Sequence, residues 1–469
     1  MNLNRKEFLK KISLTVPFLA SSPSLLASGL SAKSKRVQIL KKRSNVPAND
    51  RIQVGSIGLG IMGFKDAKAA LHNEGIELVA AADCYDGRLV HAKEVFGDQV
   101  KTTRDYREVL DDPSVDAVII ATPDHWHHRV TTDALKKNKP VYCEKPMVHH
   151  IDEGHEVIKA HQKYKHPMQV GSQYVSSIVF QKVRDLINQG EIGDLNYVEA
   201  YVNRHSALGA WEYSIPTDAS KETISWNTFL GDAPKEPFDP VRFFRWRNYR
   251  AYGTGIPGDL FVHLFSMLHM VTGSHGPNRI YASGGLRYWK DGREVPDIMM
   301  GVYDYPKTDQ HPAFNLVLHV NFENGDNNGG MGIRFIGSEG AIHAGYTSLT
   351  LAKNKFPKAP GYEGWNSFDT FSKKEQEEFV AAYDKKYGNL KKHMLDPKHM
   401  DYQAPEGYTG ESMHYDHFAN WFDAIRNGVP TVEGPVFGLR AAGPALASNL
   451  SYFEKKSIHW NPETMTVKS

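Results

Sequence analysis

The sequence predicts an α/β protein of two domains, the first built on a parallel sheet and the second on a large, mostly antiparallel open sheet. Residues 51–172 alternate short apolar runs with helical patterns, and strands that are apolar throughout are typical of a parallel sheet covered on both faces. Strand-like runs dominate after residue 172, which indicates a second α/β domain. The chain has 469 residues, enough for two domains with sizeable cores.

The first domain is predicted to contain four strands, each followed or preceded by a helix. The strands lie in the runs "RIQVGSIGLG", "IELVAAAD", "DAVIIATP" and "PVYCEKP". The helices lie in "GFKDAKAALHN", "DGRLVHAKEVFG", "YREVLDDPSV" and "HHRVTTDALKKN". This alternation predicts a doubly covered sheet over residues 51–172.

The second domain, residues 173–469, is predicted from its strands, an apolar helix and two closing helices. The strands lie in "DLNYVEAYVNR", "GPNRIYASGGLRYW", "DIMMGVYDYP", "FNLVLHVNF" and "GGMGIRFIGSEGAIHAG". The helices lie in "GDLFVHLFSMLHMVTG", "SMHYDHFANWFDAIRNG" and "FGLRAAGPALASNLSYFEKK". The Lys-rich stretch at about 350–410, with its Pro and Gly clusters, predicts a surface insertion around one helix.

Composition excludes several classes of protein. The net charge is +2 and no patch of the fold region is markedly basic, so no nucleic-acid partner is expected. Only two cysteines occur, which excludes a disulfide framework and a cysteine metal site.

The N-terminus has the pattern of an export signal. A basic start, a short apolar run and small residues fill residues 1–32, and a polar, basic linker fills residues 33–50. "NRKEFLKK" resembles a twin-arginine signal in which Lys6 stands for the second arginine. We therefore expect an exported, periplasmic protein without a membrane span in its mature form, or a cytoplasmic one if the signal does not function.

The run "GLGIMG" leaves the first predicted strand and opens a helix, which is the context that a dinucleotide-binding turn requires. Gly58 permits the tight turn, Gly60 lets the backbone approach a pyrophosphate, and Gly63 allows close packing of the helix on the strand. The free N–H groups of the helix would then face the anion. Asp83, at the end of the second strand, would bind the ribose diol and favour NAD over NADP, although Arg88 lies close by.

Further motifs give the chain a resemblance to a known family. In addition to "GLGIMG", these motifs are "IATPDHWHH", "VYCEKP", "GDLFVH", "FIGSEGAI" and "FANWFDAIRNG". Together they resemble the glucose–fructose oxidoreductase, inositol dehydrogenase and rhizopine-catabolism (Gfo/Idh/MocA) family over most of residues 51–465. The resemblance implies an N-terminal Rossmann domain and a C-terminal α/β domain whose open sheet often mediates oligomers. It also implies a site in the cleft between them and a homo-oligomer, either a dimer or a tetramer.

The resemblance also implies site residues, position by position. Lys145 matches the family's catalytic lysine beside the nicotinamide, and Asp259 and His263 match its Asp-x-x-x-His pair. The family often has Asn at the position of Asp124. The glycine motif and the resemblance together predict these cofactor-binding residues: Gly58, Gly60, Ile61, Met62, Gly63, Asp83, Arg88, Tyr106, Thr122, Pro123, His125, His127, Glu144 and Lys145.

The expected chemistry is the oxidation of a secondary alcohol, which needs a base for the hydroxyl proton. A histidine is the more natural base, while a lysine beside the nicotinamide can share or donate the proton. The i, i+4 spacing places Asp259 and His263 on one helix face, where the carboxylate would orient the imidazole. The sequence leaves open whether Lys145 or His263 takes the proton.

An aromatic and Arg-rich stretch before this helix supplies candidate substrate contacts. Arginines bind hydroxyls or carboxylates and aromatic rings stack on sugars, so the predicted substrate residues are Gln173, Tyr174, Trp246, Arg247 and Tyr252. A metal cluster of His125, His127 and His128 is not expected, because no carboxylate or cysteine set completes it. No metal site is predicted.

The sequence therefore predicts an NAD-dependent oxidoreductase that acts on a sugar or sugar derivative. Because free NAD is not expected outside the cytoplasm, an exported enzyme of this kind should hold its nucleotide tightly. Two alternatives stay open: an NAD-dependent glycosidase working by transient oxidation at C3, elimination, water addition and re-reduction, and a non-catalytic module that binds NAD or a sugar.

Overall fold

The computed structural model describes Pro47 and residues 50–326, 329–354, 359–388, 390 and 398–468. The predicted export signal lies outside the described residues, and of the predicted linker only Pro47 and Asp50 are described. Both therefore stay predictions. Within the described part of the chain, no helix is both long enough and apolar enough to cross a membrane.

The first sheet has six strands, all parallel, in the order β3-β2-β1-β4-β5-β6. Two of them, the three-residue strands β3 and β6, were not predicted. Their bounds are β1 Ile52–Ile57, β2 Ile76–Ala82, β3 Lys101–Thr103, β4 Ala117–Ile120, β5 Val141–Cys143 and β6 Met168–Val170. The helices between them are α1 Ile61–His72, α2 Asp86–Phe96, α3 Tyr106–Asp111, α4 Asp124–Lys136 and α5 Ile151–Tyr164.

The second sheet has ten strands in the order β14-β13-β12-β11-β7-β10-β9-β8-β15-β16. The pairing of β7 with β10 is parallel and the other pairings are antiparallel, so the predicted fold class is confirmed. The bounds are β7 Leu195–Asn203, β8 Arg279–Gly285, β9 Ile298–Tyr305, β10 Phe314–Asn321, β11 Gly330–Gly337, β12 Gly340–Ala344, β13 Ser348–Lys353, β14 Lys398–Gln403, β15 Ile458–Asn461 and β16 Thr466–Val467.

The predicted surface insertion at about 350–410 differs from the structure at both ends. Strands β13 and β14 pair with each other and extend the second sheet, so these two segments belong to the fold. Between them lies the predicted helix. The helices of this half of the chain are α6 Ile178–Asn188, α7 Trp226–Leu230, α8 Pro240–Phe244, α9 Val262–Thr272, α10 Lys373–Tyr387, α11 Gly410–Asn427 and α12 Pro435–Glu454.

The two closing helices pack on different parts of the molecule. Helix α12 packs along β8 and α9 of the second domain, and it also contacts α5. Helix α11 instead packs on the first sheet, where the ring of Phe418 stacks on that of Tyr142 at 4.1 Å. Phe418, Trp421 and Phe422 share one apolar core with α1 and the first sheet. The C-terminal part of the chain therefore covers one face of the N-terminal sheet.

Candidate active site

The turn after β1 has the geometry that the three glycines predict. Gly58 has φ +88°, and a Cβ on Gly63 would lie 1.9 Å from the carbonyl oxygen of Gly58, so a side chain is excluded there. A Cβ on Gly60 would instead meet no atom within 4 Å. No side chain caps α1, which leaves the N–H groups of its first turn facing this open space. The turn therefore fits a bound pyrophosphate.

Asp83 ends β2 beside this turn. Its carboxylate accepts hydrogen bonds from the backbone N–H of Leu59 at 2.7 Å and of Tyr85 at 2.9 Å. The guanidinium of Arg88 lies 3.4 Å from the carboxylate and 5.3 Å from the ring centre of Phe244. Both side chains line the cleft beside the glycine turn, which is where the predicted ribose contact would require them.

A cleft of about 1040 Å³, counted out to open solvent, runs from the glycine turn to Lys145. Predicted cofactor and substrate residues that line it are Gly58, Gly60, Ile61, Met62, Asp83, Arg88, Tyr106, Thr122, Pro123, His127, Glu144, Lys145, Trp246 and Arg247. The hydroxyl of Thr122 is buried and has no hydrogen-bond partner among the described residues, as expected for a side chain that faces a ligand. The residues present fit a bound dinucleotide.

The second wall of the cleft comes from residues 213–254, which we call the strap. Its residues Thr228, Phe229, Phe243 and Phe244 line the cleft opposite the glycine turn. Backbone hydrogen bonds tie the strap to the first domain: Ser225 donates to Cys84 at 2.8 Å, and Asp86 donates to Thr223 at 3.0 Å. At the far end of the strap, the N–H and hydroxyl of Thr254 donate to the Asp124 carboxylate at 3.0 and 2.6 Å.

The strap corrects two sequence predictions. Tyr252, a predicted substrate residue, is fully buried in an aromatic cluster of the strap, and its hydroxyl donates to Glu236. His125, a predicted cofactor residue, has its ring nitrogens at the carbonyl oxygens of Phe229, at 2.8 Å, and Tyr252, at 3.3 Å. Both residues hold the strap in place. His127 does line the cleft, but its ring nitrogens also lie at backbone carbonyl oxygens.

Lys145, Asp259 and Arg247 form a buried ionic cluster at the inner end of the cleft. The ammonium of Lys145 donates to the Asp259 carboxylate at 2.8 Å and to its backbone carbonyl at 2.9 Å. Nε of Arg247 donates to the same carboxylate oxygen at 3.2 Å. Burial opposes ionisation of Asp259, but the positive charges of Lys145 and Arg247 outweigh it and hold the pKa of Asp259 well below its usual value.

His263 lies next to this cluster but is not hydrogen-bonded to Asp259 among the described contacts, which corrects the expected carboxylate–imidazole contact. Residues Pro257–Phe261 form a π-helical turn that leads into α9. The Asp259 carboxylate is engaged by Lys145 and Arg247, and Nδ1 of His263 is buried without a partner among the described residues. Burial and the charge of Lys145 hold the pKa of His263 well below its usual value, so the imidazole is neutral at pH 7.

Of the predicted substrate residues Gln173 and Tyr174, Tyr174 contacts His263, and Gln173 precedes it in a short 3-10 helix. The ring of Tyr174 stands perpendicular to the imidazole, with ring centres 4.9 Å apart. The amide oxygen of Gln173 is buried and has no hydrogen-bond partner in the described part of the chain. Together with Nδ1 of His263, it leaves unsatisfied polar atoms that a hydroxylated ligand would satisfy.

A second buried polar cluster lies behind Lys145. The cluster consists of Asp66, Glu144 and His414, and one side-chain oxygen or nitrogen atom of each residue lies within 4.8 Å of the other two. Within the described ranges, this is the group of side chains close enough together to hold a metal ion. The Asp66 carboxylate and Nε2 of His414 are 2.9 Å apart. Burial raises the pKa of both carboxyls, which favours their protonated forms. Glu144 also accepts the backbone N–H of Lys145 at 3.3 Å.

Sequence reasoning missed two residues of the site. The positive charge of Arg204, which follows β7, acts on both Asp259 and His263. Tyr346, in the turn between β12 and β13, lies against Tyr174. Neither residue belongs to a motif; the pairing of the second sheet's strands places Arg204 near His263 and Tyr346 beside Tyr174.

Comparison with known proteins identifies the nucleotide-binding half of this site. Residues 52–172 match the model of the oxidoreductase family with an NAD-binding Rossmann fold. Inositol 2-dehydrogenase of Salmonella typhimurium is 30% identical over 175 residues, which are 37% of this chain and 51% of that protein. Glycosyl hydrolase family 109 protein 1 of Shewanella sp. (strain MR-4) is 25% identical over 243 residues, 49% of this chain and 50% of that protein. The chain thus spans about half the length of these curated relatives.

Solved structures extend the likeness to the whole fold. A levoglucosan dehydrogenase in complex with NADH and levoglucosan superposes with a TM-score of 0.61 and 16% identity, over 87% of this chain and 99% of that chain. A probable dehydrogenase from Thermotoga maritima gives a TM-score of 0.57 and 18% identity, over 88% of this chain and 100% of that chain. The predictions of the family and of its nucleotide, NAD, are confirmed. Residues 52–172 thus form a Rossmann domain that matches the NAD-binding domain of the Gfo/Idh/MocA oxidoreductase family.

Proposed function

We propose that this protein is an NAD-dependent oxidoreductase that acts on a secondary hydroxyl of a sugar or sugar derivative. One observation carries this proposal. At the inner end of the cleft, the Lys145 ammonium is hydrogen-bonded to the Asp259 carboxylate and lies near a neutral His263. Lys145 lines the cleft and its charge acts on His263, so a proton donor and a proton acceptor could serve one substrate hydroxyl. Bound NAD would supply the acceptor for the hydride that leaves the same carbon.

His263 and Lys145 are suited to different roles in the proton transfer. The imidazole of His263 is neutral, with Nδ1 free of a partner in the described structure, so it can accept the hydroxyl proton directly. The ammonium of Lys145 is oriented by Asp259 and can donate to the substrate oxygen, which stabilises negative charge that develops on it. We therefore assign the base to His263 and the hydrogen-bond donor to Lys145.

Substrate contact falls to the residues that line the cleft near Lys145. The Arg247 guanidinium stacks on the ring of Trp246, with 4.3 Å to its centre, and uses Nε for Asp259. Its terminal amino groups make no hydrogen bond to the described residues, so they are available for hydroxyls or a carboxylate. Relatives that act on inositol and levoglucosan support a polyhydroxylated substrate.

The strap supports tight nucleotide binding, which an exported enzyme of this kind would need. The cleft is walled on one side by the glycine turn and on the other by the hydrogen-bonded strap, so a bound dinucleotide could contact both. The proposal includes export by a twin-arginine-like signal, a periplasmic location and assembly into a homo-oligomer, either a dimer or a tetramer.

A second candidate function is net glycoside hydrolysis through transient oxidation at C3 of the sugar. The likeness to a glycosyl hydrolase family 109 protein favours it, since that relative matches 49% of this chain. The same residues would serve both reactions, because each begins with removal of a hydroxyl proton. A non-catalytic binding module is the third candidate, and the ionic cluster at Lys145 is not what such a module would need.

The proposal is tested by purifying the protein, measuring co-purified NAD from its absorbance after denaturation, and incubating the protein with a panel of sugars and glycosides. A ketone product that accumulates only with an electron acceptor indicates oxidation, and released aglycone without NADH indicates hydrolysis. Lys145→Met should abolish either reaction while NAD content is retained. Unchanged turnover in this variant would refute the assigned chemistry, and absence of turnover in the parent would favour the binding module.

A further inference from the structure

Aromatic rings lead outward from His263 to the surface. Tyr174, half-buried, stands edge-on to the imidazole, and its ring centre lies 5.8 Å from that of Tyr346. Tyr346 is 39% exposed, whereas Asp259 is 9% exposed. The series therefore runs from the buried ionic cluster, through His263 and Tyr174, to a ring that is open to solvent.

The position of Tyr346 is set by the second sheet. Strands β12 and β13 pair antiparallel, and the turn between them is closed by a hydrogen bond from the Gly345 N–H to the Ser348 carbonyl at 2.9 Å. Tyr346 projects from this turn towards Tyr174. Because the turn belongs to a hydrogen-bonded hairpin, the Tyr346 ring is presented on a fixed element.

The contact between the two tyrosines is loose. Their hydroxyl oxygens are 3.5 Å apart, longer than the usual distance for an O–H···O bond. Burial raises the pKa of Tyr174 well above its usual value, so its hydroxyl keeps its proton at neutral pH. A ligand hydroxyl placed beside this pair could accept from one tyrosine and donate to the other.

We propose that Tyr346 and Tyr174 form an outer subsite that binds the second ring of a glycoside, whose first ring lies at His263 and Lys145. This inference rests on the proposed function and narrows its substrate from free sugars to glycosides. Two ring contacts in series match two successive rings of a ligand, and tyrosine offers a rigid aromatic face at low entropic cost. A free monosaccharide at His263 would leave Tyr346 unused.

The test compares sugars that differ only in their second ring. Glucose, methyl β-glucoside, p-nitrophenyl β-glucoside and cellobiose, with their galactose and N-acetylgalactosamine counterparts, are assayed with the full-length parent, Tyr346→Ala and Tyr346→Phe. Tyr281→Ala, which removes another exposed tyrosine of the second sheet, is the matched control. Binding of the same compounds to Lys145→Met is measured by titration calorimetry, with and without Tyr346→Ala.

Tyr346→Ala should raise KM for the aryl glycoside and the disaccharide about three- to tenfold, leaving kcat and the KM of the free sugar unchanged. Tyr281→Ala should behave like the parent, and Tyr346→Phe should raise these KM values less than Tyr346→Ala does, because it keeps the ring and loses only the hydroxyl. Equal effects on free sugar and glycoside, or no effect on either, would overturn the subsite while leaving the oxidoreductase intact. If no compound is turned over but the aryl glycoside binds in a Tyr346-dependent way, the subsite stands and the proposed function falls. Absence of both turnover and binding refutes both.

Discussion

Replacing Asp259 by Asn removes the charge that lies between Lys145 and Arg247 and keeps the shape of the side chain. Two buried cations would then share no counter-ion, and loss of one partner from a buried pair costs about 3–5 kcal/mol. An exposed pair of similar length provides the control: Asp232 lies 3.0 Å from Arg129 with 88% of its side chain exposed. Exposed pairs contribute about 0–1 kcal/mol, so Asp232→Asn should cost less than about 1 kcal/mol.

The pH dependence of the Asp259→Asn effect gives a second, independent check. The folded-state pKa of Asp259 is lowered below the unfolded value of about 3.9. Its stabilising contribution is therefore present above about pH 4 and is lost as the pH falls towards the folded-state pKa. The difference in free energy of unfolding between parent and variant should shrink below about pH 4.

Urea unfolding of the parent, Asp259→Asn and Asp232→Asn at pH 7 and at several values below pH 4 measures both effects. Unfolding is followed by tryptophan fluorescence, and equal m-values are required before the free energies are compared. Equal costs for the two variants at pH 7 would show that burial does not set the strength of the Asp259 pair. A parent–variant difference that stays constant on acidification would refute the lowered pKa of Asp259.

Three further predictions concern the nucleotide site and the base. Gly63→Ala should destabilise the fold by about 3 kcal/mol, because the new Cβ would lie 1.9 Å from a backbone oxygen. The Cβ of Gly60→Ala would meet nothing within 4 Å, so this variant should keep the melting temperature of the parent. It should weaken NAD binding at least about tenfold, as measured by titration calorimetry. Equal effects of the two on stability would contradict this distinction. Asp83→Asn should shift the ratio of NADP to NAD affinity upward by at least about tenfold, because Arg88 then loses the carboxylate at 3.4 Å; an unchanged ratio would remove Asp83 from the ribose site. The pH profile of kcat/KM should show no ionisation of His263 between pH 6 and 8, because its pKa lies well below 6.5, and a histidine-type inflection that His263→Gln abolishes would refute this.

Local rules were sufficient to predict the nucleotide half of the site. Gly58, Gly60 and Gly63 act through their own backbone and the first turn of the helix that follows, so their spacing carries the geometry. Asp83 and Lys145 each lie within two residues of the end of a strand of the parallel sheet, and the carboxyl ends of parallel strands meet at one edge. A sequence in which strands and helices alternate therefore places these residues together without further information.

The substrate half depends on contacts between segments that are far apart in the chain. Tyr252 resembles a substrate residue in sequence because arginines and aromatic residues surround it, but the strap folds so that its ring packs inward against Phe229. His125 lies in a cofactor motif, yet its ring nitrogens face the carbonyls of the strap. The local sequence around Tyr252 and His125 does not predict that the strap contacts the first domain at this point.

The segment that contains Asp259 and His263 also shows that local sequence does not determine which partner a side chain contacts. Spacing of four residues predicts neighbours on a regular α-helix, and the two residues are indeed close. The π-helical turn Pro257–Phe261 and the two cations nevertheless direct the Asp259 carboxylate to Lys145 and Arg247. Insertions of this kind are frequent at functional sites. Since charge attracts Asp259 more strongly than a neutral ring does, Nδ1 of His263 is left without a partner among the described residues, which supports the proposed role of His263 as proton acceptor.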